Sequence, residues 1–179
     1  LVRTDVDLQR VGVVADLPPD SSPIQIGTEG TYQNKNFVVV GRILYEYEQG
    51  GWNEWNIVFS DGTTGWLADA QLEYDVSFWT QAPEALPGPK QIRRGHEFTW
   101  SGKAYRATST TTAHYKGVQG ELPFQYWDKT DVRFADLRTT DGDFATIDYS
   151  DSPPLLFLGR AVDFDDLHFK NLRQFEGWS

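Results

Sequence analysis

The chain has no cysteine and no methionine among its 179 residues. Without thiols it can form neither a disulfide nor a thiolate zinc site of its own. Methionine is missing even at the first position, so Leu1 is expected to begin a processed or trimmed chain rather than to mark the native initiator end. Positive charge is scarce: 16 Lys and Arg stand against 26 Asp and Glu, a formal net charge of -10. Such a surface repels phosphate backbones and anionic lipid heads, and a base-stacking platform needs Lys or Arg beside its rings. Nucleic acid is therefore not expected as a partner. Long apolar runs are absent too. The longest, such as Leu155–Leu158 and Val38–Val40, have strand length and fall far short of the ~20 residues that span a bilayer. His96, His114 and His168 lie far apart and show no metal-ligand spacing. No Gly-x-Ser-x-Gly elbow, phosphate loop or dinucleotide fingerprint occurs. No catalytic residue, metal or cofactor is assigned on these grounds, and a non-enzymatic role is expected.

What is present points to β structure. The chain carries 7 Trp, 8 Tyr and 11 Phe, and large rings favour pleated, half-buried surfaces. Phe37–Val40 is a β-branched run closed by Gly41. Arg42 to Tyr47 alternates, with Ile43, Tyr45 and Tyr47 on one face and Arg42, Leu44 and Glu46 on the other. Gly50-Gly51, Asp61-Gly62 and Asp141-Gly142 read as hairpin turns. Further strands are predicted over Trp55–Phe59, Gly65–Leu67, Tyr74–Trp79, Lys103–Ser109, Leu122–Trp127, Val132–Leu137, Phe144–Tyr149 and Leu155–Val162. A helical turn is predicted at Asp69–Leu72, a short strand around Val11–Val14, and a short C-terminal helix over Asp165–Phe175 behind an Asp cap. The stretch from Asp131 to Asp166 holds nine Asp and three basic residues and reads as Asp-rich turns in water.

The two halves of the chain align with one another. Gly27, Tyr32, Lys35 and Phe37 fall opposite Gly95, Trp100, Lys103 and Tyr105, always 68 residues apart. Asp61-Gly62 and Leu67 fall opposite Asp141-Gly142 and Ile147, 80 residues apart, which implies a 12-residue insertion in the second half. Between these blocks Glu54 pairs with Glu121 at an offset of 67. The expected fold is mostly β, with two tandem, pseudo-symmetric small β-barrel or curled-sheet units and a short C-terminal helix. The expected divisions are an N-terminal extension over 1–23, a first unit over 24–81, a Pro-rich linker over 82–89 and a second unit over 90–179.

Several segments resemble one bacterial family, the domain-of-unknown-function family 4178. They are Pro23–Thr28, Phe37–Arg42, Trp52-Asn53-Glu54-Trp55, Asp61–Leu67 and Gly120–Pro123. The resemblance covers nearly the whole chain. It implies a cysteine-rich zinc ribbon upstream in many members and a genomic setting near membrane-stress and polyamine genes. It brings no catalytic residues with it.

The candidate site residues are Trp52, Asn53, Glu54, Trp55, Trp66 and Glu121. A carboxylate flanked by indoles has its pKa raised and can donate or accept a proton. The other reading is structural, with each Glu bonded to backbone or indole N–H groups at a strand crossing, and the Trp residues as core. The cluster Asp141, Asp143, Asp148 and Asp151 lacks EF-hand spacing, so no calcium site is assigned. Two functions follow as expectations. The first is a non-catalytic cytoplasmic interaction module with a protein partner, reaching a membrane peripherally through that partner. The second is a binder of a small cation such as a polyamine, or an enzyme, using Glu54 and Glu121 in an aromatic cleft.

Overall fold

Strand periodicity dominates the chain, and the computed structural model turns nearly all of it into one sheet. The described residues are 9–10 (backbone only), 22–48, 50–82, 85–123, 131–150 and 153–174. Eleven strands occur among them: β1 (Gln9–Arg10), β2 (Glu29–Tyr32), β3 (Lys35–Tyr47), β4 (Gly50–Phe59), β5 (Thr64–Ala70), β6 (Glu73–Thr80), β7 (Glu97–Trp100), β8 (Lys103–Leu122), β9 (Asp131–Arg138), β10 (Asp143–Asp148) and β11 (Leu155–Val162). Eight of them close an antiparallel barrel in the order β3, β4, β5, β6, β11, β10, β9, β8, with β8 returning to pair with β3. β1 and β7 add to β8, and β2 adds to β3.

The expectation of two small barrels side by side is therefore corrected. Each half supplies four staves to a single barrel, because the long β3 and β8 pair with each other instead of each folding back on its own unit. The predicted C-terminal helix is one turn of 3-10 helix, Phe164–Leu167, ended by His168 in the left-handed region; Phe175 lies outside the described residues. The predicted helical turn at Asp69–Leu72 is the end of β5 followed by a two-residue hairpin turn at Gln71-Leu72. Lys103–Ser109 extends into a strand of 20 residues. The strand expected at Val11–Val14 and most of that expected at Leu122–Trp127 lie outside the described residues. No helix among the described residues is long and apolar enough to cross a membrane.

Two irregularities let single strands serve two cores. In β3, Phe37 and Val39 pack on the outside of the barrel, whereas Ile43 and Tyr45 point into it. Unbroken alternation would keep all four on one face. A bulge between Val39 and Gly41 inserts an extra residue and flips the rest of the strand. In β8 a shift between Ala107 and Ser109 does the same: Tyr105 and Ala107 pack outside, and Ala113 and Tyr115 inside. The result is a lumen core around Tyr45, Tyr115, Leu122 and Phe157, plus two outer cores. Ile24, Leu167 and Phe169 cover one outer face; Ile92, Trp100 and Leu86 cover the other.

The same hydrogen bonds recur 68 residues apart. Gly27 N–H donates to the Val39 carbonyl, and Gly95 N–H to that of Ala107, each at 2.8 Å. Both glycines have positive φ, 96° and 94°. Farther on, Ile57 opposite Gly65 and Leu67 opposite Val76 match Leu137 opposite Ala145 and Ile147 opposite Leu156, at the offset of 80.

The β5–β6 turn is unusual in chemistry. Gln71 and Leu72 both adopt positive φ, 50° and 69°, a conformation that favours Asn-Gly. Leu72 is 86% exposed, so its side chain contributes little burial in return. Leu72→Gly is expected to stabilise the protein by about 1 kcal/mol, read as a higher midpoint in urea denaturation.

Candidate functional site

Strand alternation divides the Trp52–Trp55 block between two environments. Trp55 and Asn53 point outward. Trp55 sits in the outer core, with the Arg42 guanidinium 5.3 Å from its ring centroid and its indole N–H donating to Asp69 Oδ2 at 3.5 Å. Asn53 Oδ1 accepts from Arg42 Nε at 2.7 Å. These two residues hold β3 to β4 and do not face the cavity. Trp52 and Glu54 point inward. Trp66 also points inward, buried in the lumen wall beside Ile43 and Phe157.

Glu121 is not part of this group. It is an exposed residue of β8, opposite Arg10 in the register, and its backbone carbonyl accepts from Asn56 Nδ2 at 3.1 Å. The expected Glu54–Glu121 pair is thereby corrected. The bulges and the longer β8 move the second half out of the register assumed for that match. At the offset of 80 that the sheet registers follow, Glu54 corresponds to Phe134.

The barrel encloses a partly open cavity of about 400 Å³. Among the described residues its lining holds five carboxyl groups, Glu54, Glu73, Asp75, Asp136 and Asp148, and a single cationic side chain, Arg138. One wall is aromatic. Tyr45 stacks on Trp52 at 4.9 Å and 20°, and the Phe134 ring meets Tyr45 edge-on at 5.3 Å. The Tyr47 ring meets Trp52 edge-on at 5.4 Å.

The carboxyls are held in distinct ways. Glu54 Oε1 accepts the Trp52 indole N–H at 3.2 Å. Burial in the barrel pushes its pKa up to about 8; the indole bond opposes this, and the charges of Asp75, Asp136 and Asp148 add to it. Asp136 accepts from the Thr146 hydroxyl at 2.8 Å and from the Ser109 hydroxyl at 3.4 Å, and burial still raises its pKa. Asp75 is likewise raised by burial, against the lowering effect of Arg138. Asp148 accepts the Ser150 backbone N–H at 2.8 Å.

Asp75, Asp136 and Arg138 were absent from the sequence-based candidates, and Asp148 stood only in an acidic cluster to which no site was assigned. Each lies on a separate strand or at a separate height, so no local motif joins them. The one available signal was parity. Asp136 and Arg138 alternate with the apolar Ala135 and Leu137, and Asp148 follows Ile147, which marks a strand with polar groups on its second face. No group of three or more His, Asp or Glu among the described residues converges as a metal site would require. The carboxyls are spread around the lumen and do not gather at one point. Protonated Glu54 and Asp136 donate hydrogen bonds; ionised, they attract an ammonium or guanidinium that also lies against the ring faces.

The model of a family described as a domain of unknown function (DUF4178) matches residues 25–164. No curated protein and no solved structure matches the chain.

Proposed function

The chain belongs to the DUF4178 family, and we propose that its barrel is a binding module for a small organic cation, held in the lumen by Glu54, Asp75 and Asp136 against the Tyr45–Trp52–Phe134 wall. Amines, polyamines among them, are the ligand class. The observation that carries this reading is the imbalance, among the described residues, of five carboxyls to one guanidinium in a partly open aromatic cavity. Burying like charges together is costly, and a barrel needing only stability would fill its interior with apolar side chains. Mouths and interiors of barrels are common ligand sites.

The internal repeat supports the same reading. We read the two halves as diverged copies, with 24–81 and 90–179 as their bounds. The matched positions of the outer cores stay apolar: Ile57 with Leu137, Leu67 with Ile147, Val76 with Leu156. Matched lumen positions differ in charge: Glu54 with Phe134, Asn56 with Asp136, Ala68 with Asp148, Asp75 with Leu155. The folding devices were kept in both halves, while the interior diverged into one asymmetric site.

Benzylammonium chloride tests the proposal, with benzyl alcohol as the neutral control. The expected result is a saturable shift of the Trp52 indole NMR signal with the ammonium alone. Above about pH 8, where Glu54 is ionised, Glu54→Gln and Asp136→Asn are each expected to weaken binding about tenfold, the range of a charge-assisted contact. A response equal for alcohol and ammonium, or none at millimolar concentrations, sinks the reading.

A second reading, the protein-interaction module, draws on Leu72 standing exposed on the β5–β6 turn, next to Gln71 of the cavity lining. Its test is a pull-down with Leu72→Asp. Loss of a partner that the unaltered chain retains supports it; an unchanged set of partners argues against it.

A further inference from the structure

Arg138 is the cation already inside the site. It leaves β9 and reaches Asp75 on β6, with Nη1 to Oδ1 at 3.6 Å. In the sheet order β10 and β11 lie between those strands, so the pair spans part of the barrel opening and is no neighbouring-strand contact. The guanidinium also sits 5.2 Å from the Phe144 ring centroid, and Phe144 is directly opposite Arg138 in the β9–β10 ladder. A carboxylate and a ring face together form the environment that an ammonium ligand seeks.

The pair is loose. Its separation exceeds a good hydrogen bond, and the two side chains are 39% and 20% exposed. Ion pairs of this kind are weak and exchange readily. The guanidinium is tethered near Asp75, and among the described residues that line the lumen four further carboxyls stand with no second cation.

We infer that Arg138 is a tethered counter-cation: an entering ammonium takes Asp75 by displacing the Arg138 guanidinium, and this competition sets which cations the lumen accepts. The inference rests on the lumen-binding reading above and adds a specificity-determining residue to it. Weak monovalent cations fail to displace the tethered charge, and only those that also gain the ring faces and a second carboxyl bind.

The test is a titration of the full chain with benzylammonium, following the Trp52 indole signal in four proteins: unaltered, Arg138→Gln, Asp75→Asn and the double variant. Displacement predicts roughly fivefold tighter binding to Arg138→Gln, since the competing pair is lost. It also predicts that Asp75→Asn removes this gain in the double variant. A gain that persists there reflects only the general charge of the cavity and overturns the inference. Equal or weaker binding by Arg138→Gln, with the unaltered chain still binding, overturns it while leaving the lumen reading intact. Absence of binding in all four proteins sinks the lumen reading and the inference together. Should Arg138→Gln not fold, the Arg138 side-chain NMR signals of the unaltered protein decide. A shift that saturates together with the Trp52 signal supports displacement, and unmoved Arg138 signals overturn it.

Discussion

Gly41→Ala is expected to lower the melting temperature by roughly 10 °C or more, the equivalent of about 3 kcal/mol in a chain of this size. Gly41 lies at the seam where β3 meets β8, opposite Gly120. A Cβ there would collide with the Glu121 carbonyl oxygen, which is backbone and cannot swing away. Gly159 has the same role at the other seam, where β11 meets β6, and its Cβ would strike the Val76 carbonyl. Gly159→Ala is expected to destabilise comparably. Both seams join staves from different halves of the chain, so crowding either one opposes closure of the whole barrel. Gly62→Ala is the control. That turn glycine has φ of 89° and open space around its Cβ position, so only the conformational cost of about 1 kcal/mol applies. Thermal melts of the three variants separate the cases. A Gly41→Ala melt within about 2 °C of the unaltered protein would rule out this account of closure.

The second large effect is in pH. The Glu54 carboxyl is held at about 8 by burial, far above its ordinary value of 4.5. Between those values the folded chain binds the proton more firmly than the unfolded chain does. Stability is therefore fully present at low pH, declines as pH rises above about 4.5, and has lost the whole contribution once pH passes about 8. The limit of that loss is about 5 kcal/mol, and water entering the cavity reduces it. Glu54→Gln keeps the shape and removes the titration. It is expected to melt near the unaltered protein at pH 4.5 and well above it at pH 9. Asp75 and Asp136, whose values burial also raises, add to the decline in both proteins, and their charges enter the difference through the raised value of Glu54. A constant offset between the two melting curves across pH would contradict a raised Glu54. The same substitution is expected to weaken the proposed cation binding, so stability and the proposed function oppose one another at this residue.

Much of the fold was legible residue by residue. The hairpin turns at Asp61-Gly62 and Asp141-Gly142, the alternation of Ile43, Tyr45 and Tyr47, and the apolar outer faces follow from local chemistry and a period of two. The site was legible only in part. Glu54 and Trp52 stood out because a carboxyl lies between indoles in one short block. Asn53 and Trp55 belong to that same block yet face outward, and Trp66 proved to be lumen wall. Glu121 was misplaced because a match by offset ignores bulges, and one extra residue in a strand exchanges its faces.

Composition and strand period already entail an acidic, mostly β chain with turns in set places and no thiol chemistry. They do not say whether two halves close separately or together. That depends on β3 and β8 pairing over 41–46 and 114–120, a contact between segments some 70 residues apart, made possible where Gly41 and Gly120 let the backbones approach. Closure then brings acids from β4, β6, β9 and β10 to one lumen. Desolvation of Glu54, Asp75 and Asp136 and the repulsion between them, which no single strand carries, turn ordinary carboxyls into the proposed binding site.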